Sequence, residues 1–168
     1  MTALTGRTVS RWVNFSVEDA AAMRDIPINT LSIVGVTYEE QDLSSFQDAV
    51  KGALPGMPDC PIEISGPFDT TAVVTAAASG AAPALSGSHT VLSVINGGSD
   101  PKALDIKFGI RTHWETDAPQ FGITATATSG YLCVAYTVDA STMTYTAKFV
   151  LYPGSAIPAW GTAIETVL

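Results

Sequence analysis

Met143-Thr144-Tyr145-Thr146-Ala147-Lys148-Phe149-Val150-Leu151 alternates with a period of two. Met143, Tyr145, Ala147, Phe149 and Leu151 point one way, and Thr144, Thr146, Lys148 and Val150 the other. Successive side chains of a strand leave on opposite faces, so this stretch predicts a strand with one buried face. Tyr131 to Val138, just upstream, is more continuously apolar and reads as a central strand. Only Asp139-Ala140-Ser141-Thr142 separates the two, a connection rich in turn formers. Residues 131–151 are therefore expected to form an antiparallel hairpin.

The same period extends upstream. Leu104, Ile106, Phe108 and Ile110 alternate with Asp105, Lys107, Gly109 and Arg111, and Phe121, Ile123, Ala125 and Ala127 with Gly122, Thr124, Thr126 and Thr128. Strand 121–128 carries no charge, so it is expected to be internal or covered by a neighbouring subunit, because bare sheet edges invite pairing. His89–Asn96 reads as the first strand of this C-terminal meander. In the N-terminal half, Val9–Phe15, Leu31–Val36 and Ile62–Phe68 read as strands. One helix is expected at about 44–54. Ser44 and Gln47 have the spacing of a capping box, Phe46, Ala49, Val50 and Ala53 share a helical face, and Leu54-Pro55-Gly56 ends it. Ala72–Ser88 is small, uncharged and broken by Gly and Pro. It reads either as a surface loop or as a segment packed closely against another subunit. No internal repeat or domain boundary is visible, and the whole chain, 1–168, reads as one β-rich domain.

Composition narrows the function. The 168 residues are 46% hydrophobic and 14% charged, which is enough apolar material for a core and too little charge for a disordered chain. Eight Lys and Arg against sixteen Asp and Glu give a net charge of −8, the wrong sign for holding nucleic acid by its phosphates. No apolar run reaches the length of a membrane span, and residues 1–7 lack the apolar stretch of a secretory leader, so neither is expected. Cys60 and Cys133 are read as reduced thiols. With His89 and His113 they show no short ligand-pair spacing, so no metal and no cofactor is expected.

Catalytic motifs are absent: there is no GxSxG, P-loop, HExxH or GxGxxG. Glu39, Glu40 and Asp42 read as a solvated acidic patch, and Glu115 with Asp117 gives no better case for acid–base work. His113-Trp114-Glu115 reads as a hairpin end with a half-buried Trp before it reads as a sugar-stacking site. Asn96-Gly97-Gly98-Ser99-Asp100 reads as a turn needing positive φ, not a phosphate or calcium loop. An enzyme is not expected. What remains is a domain whose information lies in its surfaces.

Thr37-Tyr38-Glu39-Glu40-Gln41-Asp42-Leu43-Ser44-Ser45-Phe46-Gln47-Asp48-Ala49-Val50-Lys51-Gly52-Ala53-Leu54-Pro55-Gly56 resembles the region of phage tail tube (major tail) proteins where a strand end and an acidic turn lead into a single helix. Ile64–Thr70 is similar to the strand and turn that follow there, and Lys102–Arg111 to the family's central strand. The resemblance covers roughly residues 8–151. Loop 72–88 fits no motif of the family, and the segment after Leu151 is longer than the family pattern. The resemblance implies an antiparallel β-sandwich or partly closed barrel with one short flanking helix. It implies a virion structural protein of long-tailed bacteriophages, assembled in the host cytoplasm and located in the tail. Its subunits would form hexameric rings, stacked into a tube around a DNA channel and meeting other virion proteins at the ends. An acidic wall lets DNA pass without specific binding. Candidate lumen residues are Glu39, Glu40 and Asp42. Candidate interface residues are Trp12, Phe15, Ala77, Leu85, Ile157 and Trp160, with strand 8–15 and tail 152–168 as assembly arms. Tail terminators and baseplate hub pieces share this plan. Two rival classes explain the same composition: a capsid decoration (cement) protein, and a carbohydrate-binding β-sandwich using Trp114 with Tyr131 or Trp160.

Overall fold

A computed structural model gives the fold and describes residues 10–32, 34–45, 50, 52–77, 81–109 and 118–161. A 3-10 turn, Ser10–Trp12, leads into β1 (Val13–Asp19), β2 (Ala22–Ile26), β3 (Thr30–Leu31), β4 (Thr37–Asp42), β5 (Ala53–Asp59) and β6 (Ile62–Pro67). Helix α1 (Ser88–Ile95) follows, then β7 (Leu104–Phe108), β8 (Gln120–Ile123), β9 (Tyr131–Asp139), β10 (Thr144–Leu151) and β11 (Ala159–Gly161). The pairings are antiparallel, in a five-stranded sheet A ordered β11-β8-β7-β1-β2, a four-stranded sheet B ordered β3-β6-β10-β9, and a separate β4-β5 hairpin.

Sheets A and B face each other across one apolar core. Phe15, Val17, Ile26, Leu104, Ile106 and Phe121 come from A, and Ile62, Ile64, Tyr145, Ala147 and Phe149 from B. The rings of Phe15 and Phe149 meet at 5.5 Å. Each buried Val, Leu, Ile or Phe among them contributes about 1.5–3 kcal/mol by leaving water. The hairpin at 131–151 is present as expected, with Tyr145 opposite Val138 and Leu151 opposite Tyr131. Met143 sits in its turn at φ 52°, not in the strand. The expected strand 121–128 stops at Ile123, and Thr126 and Ser129 then close a tight turn.

The α-helix lies elsewhere than expected. Ala53 and Leu54 belong to β5, and 46–49 and 51, five of the eleven residues of the expected helix, lie outside the described residues. The observed helix occupies Ser88–Ile95, read from sequence as a strand. Val91, Leu92 and Ile95 are buried on one face while Val94 is exposed, which is helical rather than alternating spacing. Thr90, Val91, Val94 and Ile95 favour strands locally, and burial against the open end of the sandwich overrides that preference. The Ser88 hydroxyl donates to the Pro67 carbonyl, and the His89 N–H to the Asp69 carbonyl, which fixes the helix start.

Candidate assembly surface

Sheet A is finished at both edges. The 71–77 and 81–87 segments lie along β2: the Ala76 N–H donates to the Met23 carbonyl at 3.1 Å, the Ser86 N–H to the Asp25 carbonyl at 2.7 Å, and the Ala77 N–H to Asp25 Oδ2 at 2.9 Å. Part of the segment read as a surface loop or a contact with another subunit thus folds onto this chain's own edge strand. At the other edge β11 pairs with β8, and the Trp160 ring packs on Phe108 at 5.5 Å and Phe121 at 5.0 Å. Residues 159–161 of the expected arm are therefore a strand of the sandwich. They follow Pro158, whose missing N–H keeps it out of the ladder.

Sheet B is open. Tyr131 and Cys133 of β9 are bridged by Lys102 and Asn96, but among the described residues no strand lies beyond 134–139. Val134 and Val138 are 49% and 39% exposed along that stretch. At the far side β3 covers β6 with two residues only. The outer face of sheet B is a row of hydroxyls: Thr30 and Ser65 pair at 2.5 Å, Ser65 stands opposite Thr146, and Thr146 opposite Thr137. Lys148 and Glu63 oppose each other in the next row.

The β4-β5 hairpin pairs only with itself. Tyr38, Leu43, Leu54 and Met57 are exposed on it, Met57 at 81%. Two strands alone are marginal in water, so such an arm gains from being covered. Between the sheets, a groove of about 560 Å³ is lined by Val13, Ile28, Leu31, Val34, Phe108 and Trp160, with Ser10, Asn29, Thr30 and Ser32 adding polar groups.

The sequence candidates scatter over these features. Glu39, Glu40 and Asp42 are all exposed on β4, and the Ser44 backbone and side chain bond Asp42 and hold its pKa below the ordinary carboxylate range. Trp12 is half-buried at the end of the 3-10 turn, with the Arg11 guanidinium 4.4 Å over its ring. Phe15 is 0% exposed: it lies on the core face of β1 and has no surface to offer a neighbour. Its alternation with Trp12 and Asn14 was visible, but which face of a doubly covered strand is core was not. Ala77 is half-buried under its bond to Asp25, Leu85 is exposed, and Ile157 and Trp160 are 46% and 56% exposed around the groove end of sheet A. Tyr131 is no stacking surface, because it is fully buried with its hydroxyl on the Cys60 carbonyl at 3.2 Å. His113, Trp114 and Glu115 lie outside the described residues. Among the described residues no group of three or more His, Cys, Asp or Glu is placed to hold a metal ion.

Sequence reading missed a polar layer. Asn14, Ser16, Asp25, Asp105, Lys107 and Gln120 are all buried on the face of sheet A that points away from the core. Asp25 Oδ1 accepts from Asn14 Nδ2 at 2.7 Å and from the Ser16 hydroxyl at 2.5 Å. Burial pushes the Asp105 carboxyl up to about 7, helped by the charge of Asp25 and opposed by Lys107 and the Ile106 N–H. Burial also lowers the Lys107 ammonium, against the pull of Asp105 and Asp25. The signal in the sequence was charge at alternate positions of β7, which looks the same whether that face meets water or protein.

No protein-family model matches this chain, and no curated protein matches it. Solved structures do. A chain of the sheath–tube complex of an extracellular contractile injection system, PVC, in its extended state matches at TM-score 0.51 and 11% identity, over 95% of each chain. A chain of the tube-terminating cap of the anti-feeding prophage matches at TM-score 0.52 and 12% identity, over 97% of this chain and 96% of that one. A chain of the PVC sheath/tube terminator matches at TM-score 0.50 and 12% identity, over 94% of this chain and 99% of that one. Nearly end to end, the chain has the fold of proteins that build these injection particles.

Proposed function

We propose that this chain is a structural subunit of a phage-like tail tube, self-assembling into stacked rings around a channel that passes DNA. The observation that carries the reading is the detached β4-β5 arm with its exposed Leu54 and Met57, on a sandwich whose sheet B is left open at both sides. The arm, the β9 edge and the groove beside Trp160 are three different patches. Ring closure by head-to-tail contacts requires unlike patches to meet. The likeness to chains of tube, terminator and cap assemblies supports the same reading. Long-tailed phage tail, host-cytoplasmic assembly, other virion proteins at the tube ends and a six-fold ring belong to this proposal.

The outer face of sheet B is assigned to the channel. Its hydroxyl row and single Lys148–Glu63 pair give phosphate little to hold, and a net charge of −8 per subunit repels it. Glu39, Glu40 and Asp42 add their charge where the arm lies.

Negative-stain microscopy of the purified protein tests the proposal. Rings or tubes with a central opening are expected. Monomers at high concentration would overturn it, and trimers that bind capsids instead of tubes would favour a decoration protein.

A further inference from the structure

The buried polar layer of sheet A contains an amide, an amine and an acid arranged on adjoining strands. Asn14 of β1 stands directly opposite Lys107 of β7, and Ser16 directly opposite Asp105, all on one face. Directly opposed residues in an antiparallel pair have their Cβ atoms about 5 Å apart. Asn14 is 4% exposed, and Asp105 and Lys107 are 0% exposed. Asp25, on the next strand, fixes the Asn14 amide through Nδ2 at 2.7 Å. Among the described residues neither oxygen of Asp105 has a partner within hydrogen-bond geometry, and the Ile106 N–H bears on the carboxyl from its own strand. A buried carboxyl without partners is costly and calls for a reason.

We propose that Lys107 and Asn14 react to form an isopeptide bond, with Asp105 as the proton-transfer group and Asp25 as the positioning residue. Lys107 Nζ attacks the Asn14 side-chain carbonyl carbon, Cγ. A C–N bond forms between Cγ and Nζ, and the Cγ–Nδ2 bond breaks. Asp105, in its protonated form, gives its proton to the departing nitrogen, which leaves as ammonia, and takes in its place the proton that the attacking amine loses. Asp105 ends as it began, and no oxidant or energy source is needed. Burial suits each part: it favours the neutral, nucleophilic amine and keeps the acid protonated near neutral pH. Exclusion of water protects the product from hydrolysis. The product ties β1 to β7 covalently at the middle of sheet A.

Intact-mass spectrometry of the purified full chain under denaturing conditions tests this directly. The expected mass is below the sequence mass by one ammonia. A tryptic digest should contain a branched peptide joining Trp12–Arg24 to Ala103–Arg111, with Lys107 uncleaved. Lys107→Arg should restore the sequence mass, and Asp105→Asn, which keeps both the amine and the amide, should slow or abolish the bond. A wild-type protein at its sequence mass overturns the proposal. So does loss of ammonia without the branched peptide, which would place the loss elsewhere. Full bond formation in Asp105→Asn removes Asp105 from the chemistry. The wild-type mass decides even if a variant does not fold.

Discussion

Ala20 and Ala21 form the two-residue turn between β1 and β2, with φ of 49° and 57°. Both central residues of such a hairpin turn need positive φ, which L-residues with a Cβ adopt at a cost of roughly 1–2 kcal/mol each. Ala21→Gly relieves that strain but loosens the unfolded chain, so we expect a net gain of up to about 1 kcal/mol in urea unfolding. Asp105 makes a second prediction. Its folded-state pKa of about 7 lies above the ordinary carboxylate value of 3.8, so the folded protein binds a proton more tightly than the unfolded chain. Stability is therefore highest in acid with respect to this group, and falls as pH rises from about 4 to about 7 before levelling. Urea unfolding across that window should show the decline, at up to roughly 1 kcal/mol per pH unit, and Asp105→Asn should flatten it. Asp42, Asp69 and Asp139 have lowered pKa values and act in the opposite sense, but at and below the ordinary carboxylate range.

At the scale of elements, β7 and β8 approach unusually closely at Gly122. A Cβ there would lie 2.0 Å from the Leu104 carbonyl oxygen and 2.9 Å from the Asp105 Cα. Both are backbone atoms, which cannot swing aside. Gly122→Ala should cost about 3 kcal/mol, read as a fall in melting temperature. Strands with one wet face were legible in the sequence, because β10 and β6 alternate as a half-buried strand must. Helix α1 was not legible, since its β-branched residues and short length leave the choice to tertiary packing. Nor was β11, three residues whose partner Phe121 lies far back along the chain. The capping signal at Ser44 misled for a physical reason: the Ser44 hydroxyl does serve the backbone, but it accepts the Gly52 N–H across the hairpin end at 2.7 Å.

At the scale of the whole molecule, the antiparallel β-rich character followed from period and the sandwich was implied by the resemblance, while the exposed hairpin was not legible. Exposure of Leu54 and Met57 depends on the β4-β5 hairpin standing apart from both sheets, which no local pattern announces. Leu54→Asp and Met57→Asp, made together, should leave the unfolding free energy within about 1 kcal/mol of wild type in urea titration, because surface changes away from packing are mild. The same pair should abolish rings in negative stain and leave monomers on a sizing column.

The separate arm also bears on timing. An arm that gains its packing only by docking carries the cost of ordering into the association step. The first few contacts, made without neighbours on both sides, recover little of that cost, and later ones recover more. Subunits of this design would wait as monomers and then add quickly to an existing end. Light scattering should therefore show a lag and a concentration threshold, and preformed ends added at the start should remove the lag.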